Sequence, residues 1–136
     1  MTRSDMILVA NVAIGGAVGS GCRYLMGAAI QSRAGGDFPL ATLIINVVGS
    51  LLLGFILEYA TGSTAVSPEM RLLLSTGFCG GFTTFSTFSN ESVRLIQGGE
   101  YRRATVYVGL SLILSFAAIV VGYAIARSTL GARRMA

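Results

Sequence analysis

Hydroxyl and amide side chains recur at helical spacing inside the most apolar parts of the sequence. Tyr107, Ser111 and Ser115 are four residues apart, which places them on one face of a helix, and Asn46 lies deep within another apolar run. Their O–H and N–H groups donate hydrogen bonds, so a path lined by them can replace the water shell of a small anion. Two structural roles are the alternatives: a serine can bond back to its own helix, and an amide can join neighbouring helices.

A third polar group lies in residues 75–90, where Ser and Thr crowd around three glycines. Gly77, Gly80 and Gly81 weaken a helix, and we predict a break near residues 80–83. A break at this depth frees backbone carbonyls, which a membrane tolerates only where they are buried in protein or line a cavity. Carbonyl oxygens are hard ligands, so such a break can hold a hard cation without any carboxylate.

Three phenylalanines follow the glycines at every third position, namely Phe82, Phe85 and Phe88. An aromatic stripe at this spacing is typical of core packing. Here Ser and Thr alternate with the rings, which favours rings that lie beside polar space. Because the edge of a phenyl ring is positive, rings presented edge-on attract an anion weakly, as conduction requires.

Composition identifies the elements that must position these groups. The chain has 136 residues, of which 53 % are apolar and 12 % are charged, about half the usual charged share of a soluble domain. Its apolar runs each approach the ~20 residues that a helix needs to cross the hydrocarbon. We predict an all-α membrane protein, a single domain over residues 1–136, with four transmembrane helices and a third helix broken in mid-membrane. The predicted spans are 6–31, 38–60, 70–97 and 103–127.

The same residues argue against several functions. Lys and His are both absent, so no serine has a base beside it, and we predict no enzyme activity. The formal charge of +4 comes from arginines scattered at span ends, which favours anionic lipid over nucleic acid as a partner. Cys22 and Cys79 lie in apolar runs without C-x-x-C spacing, so neither a disulfide nor a metal site is indicated.

The arginines are divided equally between the two sides of a four-span chain. Five lie with the termini and the second loop, and five lie with the other two loops: Arg3, Arg71, Arg127, Arg133 and Arg134 against Arg23, Arg33, Arg94, Arg102 and Arg103. The tie gives the positive-inside rule no preferred orientation, so we predict dual topology and an antiparallel homodimer whose two-fold axis lies in the membrane plane. Alternatively, Arg23 lies inside the first span and does not count, which leaves a fixed orientation.

Residues 77–89, Gly-Phe-Cys-Gly-Gly-Phe-Thr-Thr-Phe-Ser-Thr-Phe-Ser, resemble the Fluc (CrcB) family of fluoride channels. The likeness covers the whole chain, including Thr42-Leu-Ile-Ile-Asn46-Val-Val-Gly49 in the second span and the serines of the fourth. The resemblance implies an antiparallel homodimer of dual topology, with two fluoride pores and a structural Na⁺ ion on the two-fold axis. The implied function is passive export of fluoride from a microbial cytoplasm across the bacterial inner (plasma) membrane.

By motif position, the resemblance assigns Na⁺ to the backbone oxygens of Gly80 and Thr83 from both subunits. It assigns the fluoride-contacting ring edges to two of the three phenylalanines and leaves out Phe82, where some relatives have another apolar residue. The residues implied along the fluoride path are Phe85, Phe88, Asn46, Tyr107, Ser111, Ser115, Thr42 and Thr87.

Two other functions compete with this interpretation. A small multidrug transporter also has four short spans and dual topology, but it needs a membrane-embedded carboxylate, and the first span has no Asp or Glu after Asp5. A structural membrane subunit needs only close packing, which Gly15-x-x-x-Gly19 provides. Packing alone requires no break in the third span, which argues against the subunit.

Three charged residues near the spans have roles that the sequence leaves open. Arg23 either snorkels to an interface or draws anions into a vestibule. Glu58 and Glu91 lie at span ends, where solvated or capping roles are the default. Glu91 is close enough to the polar third segment to influence how an ion reaches it.

Overall fold

The computed structural model describes residues 2–135, and the side chains of residues 134 and 135 lie outside the described part, as do residues 1 and 136 of the predicted domain. All regular structure among the described residues is helical, which confirms the predicted all-α class. The elements are α1 (Arg3–Ala34), α2 (Leu40–Gly62), α3 (Pro68–Leu72), a π-helix (Leu73–Cys79), α4 (Gly80–Phe82), α5 (Phe85–Gln97) and α6 (Tyr101–Met135).

Three helices of the described chain are long and apolar enough to cross a membrane: α1, α2 and α6. The predicted third span, residues 70–97, is instead divided between two shorter helical stretches. The first, residues 68–82, runs through α3, the π-helix and α4, and the second is α5 with 13 residues. Neither stretch reaches the ~20 residues of a spanning helix. That the third segment crosses the membrane therefore stays a prediction.

Helix α1 begins at Arg3 because the preceding residue caps it. The Thr2 hydroxyl accepts a hydrogen bond from the Asp5 backbone N–H at 3.2 Å, and the Asp5 carboxylate accepts one from the Thr2 N–H at 2.8 Å. This reciprocal pair is a capping box, which satisfies backbone donors that have no partner inside the helix. The helix ends at Ala34, and the next residue, Gly35, has a φ of 57° in the left-handed region that favours glycine.

Residues 68–97 form what we call the broken segment. Helix α1 crosses its first stretch, residues 68–82, so closely that the two backbones are in contact. A Cβ atom placed on Gly15 would overlap the Leu73 carbonyl oxygen, and one on Gly19 would overlap the Phe78 carbonyl oxygen. The glycines of the broken segment interleave with these, because a Cβ on Gly81 would overlap the backbone of Gly16 in α1. Only glycine permits this approach, so the small residues fix where the broken segment lies on α1.

Helices α2 and α6 form the most extensive helix pair in the described chain. Gly54 of α2 lies against the carbonyl oxygen of Ile119, and Gly122 of α6 lies against the backbone of α2, where a Cβ atom would overlap in either case. The pair continues to the far end of α2, where the Arg127 guanidinium donates to the Glu58 carboxylate at 2.8 Å. In this pair Asn46 and Ser50 of α2 and Ser111 and Ser115 of α6 lie beside the broken segment.

Candidate functional site

The helix of the third segment is interrupted at two threonines. Thr83 (φ −81°, ψ 160°) and Thr84 (φ −151°, ψ 112°) are extended, whereas Gly80–Phe82 remain helical as α4. The break therefore lies at the end of the predicted range, residues 80–83, and continues one residue beyond it. Gly81 stays helical because its backbone packs directly against α1.

One side chain supplies both hydrogen-bond partners of the interrupted backbone. The Thr84 N–H donates to Asn46 Oδ1 at 2.8 Å, and Asn46 Nδ2 donates to the Thr84 carbonyl at 3.2 Å. The amide of Asn46 thus substitutes for a peptide group, which is how extended backbone is satisfied at this depth. Asn46 keeps a second amide hydrogen that these two bonds do not use.

The same geometry leaves the Gly80 carbonyl of α4 without its helical hydrogen-bond donor. The Thr83 N–H and hydroxyl both donate to the Cys79 carbonyl at 2.9 Å. In a continuous helix the Thr84 N–H would bond the Gly80 carbonyl, but it goes to Asn46 instead. Gly80 is exposed, with open space where its side chain would be.

The donors at Gly80 and Thr83 fit the cation that the motif implied. Backbone oxygens freed from helical bonding are hard ligands, which suit Na⁺ or another hard cation. Among residues 2–135 no cluster of three His, Cys, Asp or Glu side chains offers another metal site. The backbone oxygens at the break thus have the chemistry that a hard cation prefers.

A cavity of about 310 Å³, which we call the main cavity, lies between α2, the break, α5 and α6. Ser111, one of its lining residues, is buried, and its hydroxyl has no hydrogen-bond partner within the described chain. None of the residues that line this cavity is charged. Five of the residues predicted for the fluoride path line it: Asn46, Phe85, Phe88, Ser111 and Ser115. Residues that the prediction left out also line it: Gly49, Ser50, Leu53, Thr83, Thr84, Leu112, Phe116 and Ile119.

The phenylalanine rings around the break have two different environments. Phe85 is 78 % exposed, and its ring is tilted by 43° to that of Phe88, with centroids 5.8 Å apart. Phe82, by contrast, is 4 % exposed and stacks parallel to Phe78. Phe85 and Phe88 therefore line the cavity, while Phe82 packs in the interior.

Tyr107 lies on the same helix as the two cavity serines but is fully buried and does not line the cavity. Its hydroxyl donates to Glu91 Oε2 at 2.7 Å, and the Thr42 hydroxyl donates to Glu91 Oε1 at 3.0 Å. The ring of Phe88 contacts the Tyr107 ring, with centroids 5.3 Å apart. The position of Glu91 at a span end favours a solvated or capping role, whereas in the structure Glu91 lies at the centre of a polar cluster with Tyr107 and Thr42. The three-residue spacing from Phe88 was the signal for this, because it puts both on one face of α5.

Thr42 and Thr87 line a second cavity, of about 280 Å³, between α1, α2 and α5. Arg23 lines this cavity as well, and Thr84 lines both the first and the second. The Thr84 hydroxyl donates to the Thr87 hydroxyl at 3.0 Å. Of the eight residues predicted for one path, the structure thus separates three from the main cavity: Thr42, Thr87 and Tyr107.

The wall of the main cavity offers hydrogen-bond donors and aromatic rings without a full charge. Hydroxyl and amide groups can replace water around a small anion, and the absence of a cation in the lining set avoids holding the anion tightly. The chemistry suits passage better than catalysis, since the lining residues within the described chain include no acid, base or thiol.

A family model described as "CrcB-like protein, Camphor Resistance (CrcB)" matches residues 10–123. The chain belongs to the CrcB family. The match to this CrcB model includes every residue that lines the main cavity. It confirms the resemblance that the motif in residues 77–89 indicated.

Curated relatives carry the same likeness over nearly their full length. The chain is 46 % identical over 123 residues to the fluoride-specific ion channel FluC of Agrobacterium fabrum, covering 90 % of this CrcB chain and 98 % of the relative. It is 47 % identical over 116 residues to the FluC of Chlorobaculum tepidum, covering 85 % and 91 %. It is 43 % identical over 122 residues to that of Geobacter sulfurreducens, covering 90 % and 98 %.

Proposed function

We propose that this CrcB protein is a fluoride-selective ion channel that exports fluoride passively and so lowers the cytoplasmic concentration. The observation that carries the proposal is the main cavity, whose wall combines hydroxyls, one amide and aromatic rings without a charged side chain. The names of the relatives, fluoride-specific ion channels, agree with this chemistry. The function of the protein is transport, so no catalytic residue is assigned.

Fluoride selectivity follows from the kind of donor in the wall. A small anion binds water strongly, so it enters only where protein donors replace that water. The free hydroxyl of Ser111 and the second amide hydrogen of Asn46 are such donors. The edges of Phe85 and Phe88 add weak attraction without trapping the ion. Ser115 continues this lining one turn further along α6.

The polar cluster beside the cavity has a supporting part in the proposal. Tyr107 and Thr42 bind the two oxygens of Glu91, which directs the carboxylate toward donors rather than toward the cavity. Thr87 lies with Thr42 on the second cavity, which shares Thr84 with the first. An ion passing between the two cavities would therefore pass the hydroxyl of Thr84.

The open side of the cavity supports an antiparallel homodimer with two pores. Phe85 is 78 % exposed and Phe116 is 70 % exposed, although both line the cavity. A second copy would cover these rings and close the wall. The equal division of arginines permits the opposite orientation that this copy needs. In this arrangement residues 70–97 form the broken third span, which completes the four crossings of the membrane.

The proposal includes a structural Na⁺ ion held by the carbonyl oxygens of Gly80 and Thr83 from both copies. The support is the carbonyl that loses its helical donor at the break and the open space beside Gly80. When bound, the ion would neutralise the partial negative charge that collects at the end of a helix. The ion is structural and does not take part in conduction.

The membrane is the last part of the proposal. Three apolar helices of spanning length make this CrcB protein a multi-pass integral membrane protein. Passive export of an anion from the cytoplasm places it in the bacterial inner (plasma) membrane, with lipid around its exposed apolar side chains.

The test is anion efflux from liposomes that contain only this protein. We expect rapid fluoride efflux, little chloride efflux and no dependence on an imposed proton gradient. Equal fluxes of the two anions would refute selectivity, and flux that follows the proton gradient would favour a coupled transporter. No flux from folded protein would favour a structural subunit.

A further inference from the structure

Arg23 lies about two-thirds of the way along α1, half-buried, on an apolar helix of spanning length. A charged side chain at this depth is costly unless it has a partner. The partner here is a backbone carbonyl of the broken segment: Arg23 Nε donates to the Gly81 oxygen at 3.0 Å. The hydroxyl of Ser20, one turn earlier on α1, lies 3.3 Å from the same oxygen and also donates to it.

The Gly81 carbonyl needs donors from outside its own helix. In a continuous helix it would accept from the N–H of Phe85, but Thr83 and Thr84 are extended and α5 begins anew at Phe85. Carbonyls in the last turn of a helix have no intrahelical partner, and cationic side chains stabilise that end. Arg23 and Ser20 are thus a C-terminal cap that a neighbouring helix supplies.

We propose that Arg23, assisted by Ser20, is a positioning residue that holds the end of α4 in place and thereby sets the geometry of the break. Two residues separate the held carbonyl of Gly81 from Thr84, whose backbone binds Asn46, and Phe85 follows directly. The cap fixes the start of this short extended stretch, and Asn46 fixes its end. This role differs from snorkelling and from attraction of anions, neither of which needs a bond to Gly81.

A matched pair of substitutions separates the bond from the charge. In Arg23→Gln the amide nitrogen stands the same number of bonds from Cα as Arg Nε, so the donor is kept and the charge is removed. In Arg23→Met a methyl group takes that position, so both are removed. The cap predicts that the two neutral variants differ, whereas attraction of anions by charge predicts that they behave alike.

A native thiol reports on the end of the helix. Cys79 is 1 % exposed and lies two residues before Gly81, while Cys22 is exposed. In a Cys22→Ser background Cys79 is the remaining thiol, and its alkylation by N-ethylmaleimide in detergent measures local opening. We expect Arg23→Met to raise this rate by about tenfold or more, the effect of losing one charge-assisted hydrogen bond, and Arg23→Gln to stay within about threefold of the parent.

Controls keep the test decisive. Arg33→Met removes a charge from α1 at a residue that bonds only its own helix, and it should leave the rate unchanged. Ser20→Ala removes the second donor without a change in charge and should raise the rate by about twofold to fivefold, so a conclusion is reached even where Arg23→Met fails to fold. Equal rates in the Gln and Met variants, or an unchanged rate in Ser20→Ala, would overturn the proposal.

The effect on transport rests on the proposed function and is measured separately. At equal amounts of reconstituted, folded protein, we expect Arg23→Gln to retain most fluoride efflux and Arg23→Met to lose it. Equal loss in both variants would assign Arg23 to attraction of anions and refute its positioning role. If the unmodified protein carries no fluoride, the proposed function fails, while the thiol rates still decide whether the cap exists.

Discussion

Replacement of Asn46 by Asp tests the main cavity most directly, because one atom of the side chain changes while its shape is retained. Asn46 Nδ2 donates to the Thr84 carbonyl at 3.2 Å, and an Asp oxygen in that position would face the carbonyl oxygen instead. The Oδ1 atom can still accept from the Thr84 N–H. We therefore expect a moderate loss of folding stability, about 1–3 kcal/mol, from one unsatisfied carbonyl.

The effect of the charge on an ion in the cavity is larger. A cavity of about 310 Å³ is about 8 Å across, so an anion at its centre lies about 4 Å from a charge on the wall. At that distance two unit charges repel by about 4 kcal/mol with an effective dielectric constant of about 20. Fluoride efflux from liposomes should fall by at least about a hundredfold, which allows for screening.

The matched control is Asn90→Asp, which makes the same chemical change on an exposed residue of α5. Its efflux should remain near that of the unmodified protein. Gel filtration and a thermal melt establish that both variants are folded. If folded Asn46→Asp conducts fluoride within about threefold of the control, a negative charge at residue 46 does not meet the ion, and the assignment of the cavity as the pathway is wrong.

Three further outcomes follow from the geometry. Tyr107→Phe removes the hydroxyl that binds Glu91 and should cost about 1–3 kcal/mol in a thermal melt, whereas Tyr101→Phe on the exposed surface should cost little; equal melts would show that the bond is not needed. Gly15→Ala forces a Cβ atom into the backbone of the broken segment and should reduce the yield of folded protein, while Gly21→Ala, with open space beside it, should not. Exchange of Na⁺ for a large organic cation should lower the melting temperature of the purified protein, and an unchanged melting temperature in sodium-free buffer would refute the structural ion.

The apolar runs of the sequence predicted the helical class and the three long helices, because burial in lipid requires continuous apolar surface and internal hydrogen bonds. They did not locate the helix ends. Helix α1 begins at Arg3 because Thr2 and Asp5 cap it, and α6 continues past Arg127. Hydropathy does not detect these features, since a helix extends into the polar zone wherever its last groups are satisfied.

The break shows why site geometry was harder to predict than residue type. Glycines suggested flexibility at residues 80–83, yet Gly81 is held by close packing and the extended backbone falls on Thr83 and Thr84. What decides the position is a partner 38 residues away, Asn46, which a local pattern cannot identify. The π-helix at Leu73–Cys79 likewise had no signal in the sequence.

The direction in which side chains extend was a second feature of the site that residue spacing did not predict. The four-residue spacing correctly grouped Tyr107 with Ser111 on one helix face, but the tyrosine hydroxyl extends about a turn from its backbone and reaches Glu91. The family resemblance placed Thr42 on the same path as Asn46, whereas the Thr42 hydroxyl binds the same carboxylate as Tyr107. Long side chains and nearby acceptors thus separate residues that share a face.

Helix α6 is longer than the membrane that it crosses. Its 35 residues extend about 52 Å at 1.5 Å per residue, against a hydrocarbon core of about 30 Å, so roughly 20 Å of helix stands in or beyond the headgroup layers. The ion pair of Arg127 with Glu58 and the Arg133 guanidinium over the Tyr59 ring at 5.7 Å brace one end of it. In an antiparallel pair the projecting ends of the two α6 helices would lie on opposite faces of the bilayer. A tag or binding protein attached to this end could therefore be detected from either side of the membrane.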